Sequence, residues 1–170
     1  MNKQEYKNLI AFHPGYYIKE MIEDINMTQS EFAKRLGTTD KTVSKLINGE
    51  ISLSDEIAQK LSSMLGTSVE VWLNMQTTYA AKVSEIEKQK ALEEEKEYMK
   101  VIDYSYFQKL GVVPLEKTTI QQKIKELQKF LKVSSLKILA KRDFLVQFRT
   151  VVSNVSDKNV INFWIFEPSY

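Results

Sequence analysis

Apolar residues recur at spacings of three and four along most of the chain, the period of helices with one buried face. Tyr17, Ile18, Met21, Ile22 and Ile25 predict a first helix from about Gly15 to Ile25. Phe32, Ala33 and Leu36 predict a second. Thr28 with Glu31 forms a capping-box pattern at its start, Met27 and Phe32 stand at the staple positions, and Gly37 ends it. A third helix, capped by Thr38 or Thr39, buries Val43, Leu46 and Ile47 and closes at Gly49. Ser54 caps a fourth, whose stripe is Ile57, Ala58, Leu61, Met64 and Leu65, with Gly66 as its stop. Thr67 with Glu70 reads as a further capping box, opening a long fifth helix. Its positions Trp72, Leu73, Tyr79, Val83 and Ile86 close the core and then continue as a seam, either against a partner chain or against the chain's own second half. Residues 1–12 read as a fraying helix or an arm.

Beyond residue 84 the pattern changes. Residues 85–100 are dense in charge, with Glu/Lys pairs three apart that support an exposed helix. The run Glu93-Glu94-Glu95 is either a solvated face linking two parts or a mimic of a nucleic-acid backbone. Tyr98, Val101, Ile102, Tyr106, Phe107 and Leu110 then form an amphipathic segment stopped at Gly111. Thr119 with Gln122 opens another helix, with Ile120, Ile124, Leu127, Phe130 and Leu131 as its apolar set, and residues 136–141 suggest one more. Residues 144–152 fit a short strand or a continued helix equally, and Ser156 is placed to cap a last helix. The fold class is therefore all-α: five helices, the fifth long, leading to a smaller, mainly helical region.

The third helix leaves Asp40, Lys41, Thr42, Ser44, Lys45 and Asn48 outside. Short polar and cationic side chains on the leading turns of a helix are what an approach to base edges in the major groove needs. By spacing alone, an ordinary helical hairpin with a solvated face fits as well.

The stretch T-Q-x-x-F-A, a glycine turn, then T-V-S-K-L-I-N-G resembles the helix-turn-helix of the Xre/Cro family of repressors. From His13-Pro14-Gly15 to Trp72-Leu73-Asn74-Met75-Gln76, the chain is similar to the HigA group of antitoxin repressors. The likeness covers residues 12 to 80. It implies a double-stranded DNA partner, a palindromic operator bound by a homodimer, autoregulation and a toxin protein as second partner. On that footing Gln29 and Asn48 would contact phosphate from the helix ends, and Lys34 and Arg35 would lie near the backbone. Lys41, Thr42 and Lys45 would sit at or near bases, with Thr39 and Ser44 on the same surface. Asp40 would either accept from cytosine or favour the positive helix N-terminus. More weakly, the second half resembles the middle segment of regulators that end in an ImmA/IrrE-type zinc peptidase. The alternatives to an antitoxin repressor are thus a protein-interaction module, or the regulatory front of such a peptidase chain.

Composition narrows the chemistry. The chain has 170 residues, no cysteine and one histidine, so a usual zinc site cannot be assembled. His13 beside Pro14-Gly15 reads as a structural start to the first helix rather than a ligand or base. Five glycines, most at helix ends, form no phosphate loop, and no nucleophile motif occurs. The expectation is a cytoplasmic non-enzyme without cofactor, metal or membrane span. Net charge is +2 overall, yet His13–Met75 carries six lysines and arginines against nine acids. The basic residues gather at Lys34, Arg35, Lys41 and Lys45, while acids crowd the first helix. The organisation expected is a helix-turn-helix domain over 1–80, a charged helical linker over 81–100, and an interaction or dimerisation region over 101–170.

Overall fold

A computed structural model describes residues 2–140. The strand or helix expected near 144–152 and the last helix after Ser156 lie outside them. The order is β1 (Lys3–Tyr6), β2 (Leu9–Phe12), α1 (Pro14–Asp24), α2 (Gln29–Leu36), α3 (Asp40–Ile47), α4 (Asp55–Leu65), α5 (Val69–Val101), α6 (Tyr104–Lys109), α7 (Ile120–Leu131) and a 3₁₀ turn, Leu136–Ala140. The chain divides into two compact units, one ending at Gln89 and one from Lys90 onward.

In the first unit α1–α4 and the start of α5 enclose a core containing Ile18, Phe32, Leu46, Leu61 and Trp72. Helices α1–α4 are each too short to persist alone and are held by burial of their apolar faces. Caps set the bounds. Thr28 accepts the Glu31 amide, Thr39 that of Thr42, and Ser54 that of Ile57, while Gly37 and Gly66 end their helices in the left-handed conformation. Two expected boxes differ. The Glu31 carboxylate pairs with Arg35 one turn on. Ser68, not Thr67, accepts the Val71 amide at the start of α5. The Thr67 hydroxyl is taken by the Trp72 indole N–H at 2.6 Å, because a buried indole donor needs an acceptor.

Residues 1–12 are neither helix nor arm. They form an antiparallel hairpin in which Lys3 faces Phe12 and Tyr6 faces Leu9. A two-residue loop, Lys7-Asn8, joins the strands, with Lys7 at φ +54°. Alternation puts Gln4 and Ala11 on the inner face. Ala11 is fully buried, and the Gln4 amide donates to the Tyr79 hydroxyl of α5 at 3.4 Å.

His13 ties this hairpin to the helices. Its amide donates to the Asn2 carbonyl at 2.8 Å, extending the ladder. Its Nδ1 accepts the Gly15 amide at 3.0 Å as N-cap of α1, and Pro14 fills the first turn. The neutral ring therefore carries its proton on Nε2, toward the Ile51 carbonyl. Its ring meets Tyr79 edge to face, centroids 4.9 Å apart. Tyr79 thus lies against its own hairpin and His13, and Ile86 is fully buried within the single chain. These two positions are not left exposed for a partner chain, one of the two alternatives for α5.

In the second unit Met99, Tyr104, Phe107, Ile124, Leu127, Leu131 and Leu136 cluster. Thr119 and Gln122 make the expected reciprocal capping box. The acidic run splits in use. Glu93 pairs with Lys96 and Glu94 with Lys137, while Glu95 is buried and accepts the Leu136 amide at 3.0 and 3.2 Å. Glu95 is therefore a packed acceptor rather than part of a solvated face.

Candidate nucleic-acid interface

The helix pair α2–α3 is held together by its own polar groups. The Gln29 side chain donates to the Asp40 carbonyl at 3.3 Å, linking the first residue of α2 to the first of α3. At the turn between them, the Gly37 carbonyl accepts Lys60 Nζ at 3.0 Å from α4. On α3, Val43, Leu46 and Ile47 are buried, so the opposite side is fixed as the outer surface. Asp40, Lys41, Lys45 and Asn48 are exposed there, and Thr42 and Ser44 half-buried. The Thr39 and Thr42 hydroxyls are 2.9 Å apart, so each presents a hydroxyl already oriented by the cap.

The charges sort sharply. Of the six cations between His13 and Met75, Lys19 pairs with Glu23, Arg35 with Glu31 and Lys60 with Glu56. Among the described residues no ion pair engages Lys34, Lys41 or Lys45. These three all stand on α2 and α3. The acid excess of the domain therefore does not neutralise this surface. Apart from Glu50 in the α3–α4 connector, its acids lie on α1 or in first helical turns, as with Asp55 and Glu56 of α4 and Glu70 of α5. The Glu70 carboxyl is held below its ordinary range by its own amide and the Ser68 hydroxyl. The Glu56 carboxyl is lowered by Lys60.

The ten candidate residues thus fall into three groups. Lys34, Lys41, Lys45 and Asn48 present free ends. Thr39, Thr42 and Ser44 are placed by the start and flank of α3. Gln29 and Arg35 are committed to protein partners, Asp40 and Glu31, and Asp40 completes the first turn of α3. Sequence reasoning missed Asn2 and Lys60, which hold the C-terminal end of α3 and its preceding turn from elements far away in the chain. Only Gln76 carried a signal, within the W-L-N-x-Q run. Its Oε1 accepts the Leu53 amide at 2.9 Å and fixes the α3–α4 connector. Among the described residues no group of three His, Asp or Glu side chains could hold a metal ion. No helix among them is long and apolar enough to cross a membrane.

The helix-turn-helix family model matches residues 18–72, from α1 to the tryptophan of α5. An HTH-type transcriptional regulator of Escherichia coli, YddM, is 36% identical over 67 residues, 39% of this chain and 71% of that protein. The chain belongs to the helix-turn-helix transcriptional regulators. It is a DNA-binding regulator of the Xre/Cro type, related to HigA antitoxins. Antitoxin HigA-1 of Vibrio cholerae is 40% identical over 57 residues, 34% of this chain and 53% of that protein's length. A solved Pseudomonas aeruginosa antitoxin HigA, in complex with the higBA promoter, is 24% identical. That match spans 49% of this chain and 92% of the other, with a TM-score of 0.45. Regulators of this family are typically not enzymes.

Proposed function

We propose that the protein is a homodimeric, cytoplasmic repressor that sets α3 into the major groove of a palindromic operator and serves as the antitoxin of a toxin–antitoxin pair. The observation that carries the DNA part is the set of three unpaired lysines, Lys34, Lys41 and Lys45, on a domain whose other cations are paired. Lys34 and Arg35 meet phosphate at the end of α2, with Gln29 and Asn48 at the helix ends. Lys41, Thr42 and Lys45 read or approach bases, flanked by Thr39, Asp40 and Ser44. The few cations imply modest affinity per copy, and two-fold pairing doubles the contacts. The toxin partner rests on the likeness to the V. cholerae antitoxin.

In this reading 1–80 is the DNA-binding domain, 81–100 a charged helical connection and 101–170 the interaction or dimerisation region. Val101 at 74% and Leu115 at 77% exposure support a protein contact in the last of these. The same two residues favour a second reading, in which the chain is chiefly a protein-interaction module with the helix-turn-helix as scaffold. Selection of duplexes from a random pool, followed by sedimentation of the protein free and on the selected duplex, separates the two. A dimer on a preferred sequence is expected. A monomer in both states rules out the homodimer, and absence of any salt-sensitive DNA binding favours the scaffold. Co-expression with the product of the neighbouring reading frame tests the antitoxin role through a stable complex and relief of toxicity.

A further inference from the structure

The C-terminal end of α3 is met from an unexpected direction. Asn2 Nδ2, at the base of the hairpin, donates to the Ile47 carbonyl at 3.1 Å. The last carbonyls of a helix have no partner within it and need one from outside. Asn48 and Gly49 turn back to Ser44 and Leu46, and Glu50 to Lys45, so these three carbonyls are served locally. Ile47 instead is served from 45 residues away. Gly15 lies against the same end, where its missing Cβ admits the Leu46 carbonyl and Ile47 Cα. The hairpin itself is anchored on both strands. Asn2 accepts the His13 amide through its backbone, Ala11 is buried, and Gln4 reaches Tyr79 on α5.

We propose that the N-terminal hairpin is a clasp for the recognition helix, with Asn2 as the positioning residue that sets the axial placement of α3. An eight-residue helix makes two turns, and its orientation is no better defined than its two ends. Thr39 and Gln29 define the first end. Asn2 and Gly15 define the second, the end carrying Lys45 and Asn48. A helix read at base edges loses discrimination when its side chains wander by fractions of an ångström, whereas phosphate attraction is long-ranged and tolerant. Asn2 itself touches no base and acts through α3 alone. The affinity effects rest on the DNA-binding reading, whereas the local ordering of α3 does not.

The test uses Asn2→Ala and Asn2→Asp in the full chain, with Glu5→Gln on the outer face of the same hairpin as control. Two readouts are taken: affinity for a duplex selected from a random pool against affinity for a random-sequence duplex of equal length, and amide exchange at Asn48, Gly49 and Glu50. Loss of one ordinary hydrogen bond predicts a selected-duplex affinity about three- to tenfold weaker for Asn2→Ala. The random-duplex affinity stays within about twofold, and exchange at the three amides speeds up. Asn2→Asp, which puts an acceptor against a carbonyl, should match or exceed this, and Glu5→Gln should change neither. Equal loss on both duplexes, or unchanged discrimination with unchanged exchange, overturns the clasp. If the wild-type protein selects no duplex, the DNA reading fails instead, and exchange alone decides the clasp.

Discussion

Gly15 and Leu46 lie so close that a Cβ on Gly15 would stand 1.9 Å from the Leu46 carbonyl oxygen. That contact lets α1 cross directly against the backbone of α3. Backbone cannot step aside as a flexible side chain can, so Gly15→Ala must separate the two helices. Overpacking typically costs about 1–3 kcal/mol, and a backbone obstacle puts this substitution at the upper end or beyond. Chemical denaturation should show the loss, with DNA discrimination failing under conditions where the domain remains folded.

His13 links stability to pH. Its burial outweighs the hydrogen bond to the Ile51 carbonyl and holds its pKa below the ordinary 6.5. The unfolded chain therefore binds the extra proton first. Stability is fully present above about pH 6.5 and falls as pH drops through the folded-state value. Protonation also puts a hydrogen on Nδ1, facing the Gly15 amide it should accept. Melting midpoints between pH 7.5 and 5 should decline for the wild type. His13→Asn, which keeps a capping side chain, should start lower and decline less over that range.

Glu95 tests the second unit. Its carboxylate receives the Leu136 amide in a buried setting, and removing the acceptor leaves that N–H unsatisfied. Such a group costs about 1–3 kcal/mol. Glu95→Ala should therefore destabilise the region around Leu136 strongly, whereas Glu95→Gln retains an acceptor and should cost less. Glu97→Ala, at an exposed ion pair with Lys100, should be nearly silent. Amide exchange at Leu136 and unfolding curves for the three variants give the ranking.

The lysine surface makes a prediction by class. Lys34→Ala should weaken all DNA sequences alike and lower the salt slope by about one unit. Arg35→Ala should do less than Lys34→Ala, because Glu31 already shares its charge. Lys41→Ala and Thr42→Ala should change preference between sequences, by roughly 1–3 kcal/mol at the affected base pair. Val43→Asp belongs to another class: it puts an unpaired charge into the core and should unfold the domain. Binding measured across a salt series, on selected and random duplexes, distinguishes these classes. If Lys41 and Thr42 variants bind both duplexes like wild type, α3 is not the reading helix.

The helices of the first unit were legible because their signals are local. A cap such as Thr28, a stop such as Gly37 and an apolar stripe such as Val43, Leu46 and Ile47 all lie within a few residues of what they govern. The hydroxyl at Thr67 misled because it had a second claimant five residues on, the Trp72 indole, whose burial made an acceptor obligatory. The hairpin escaped notice for a related reason. Its loop, Lys7-Asn8, has no glycine to announce a positive φ, and its strands are too short to stand without Ala11 buried beneath them. Charge, by contrast, was local. The sequence by itself determined that lysines would gather on α2 and α3, since spacing sets the exposed face of a helix. The pairing of the other cations is local too, since Lys19–Glu23, Arg35–Glu31 and Lys60–Glu56 each lie four apart on one helix. The last carbonyl of α3 belongs to tertiary structure. An orphan carbonyl at Ile47 can be filled by any donor that the fold brings within 3 Å or so, and no local pattern names Asn2.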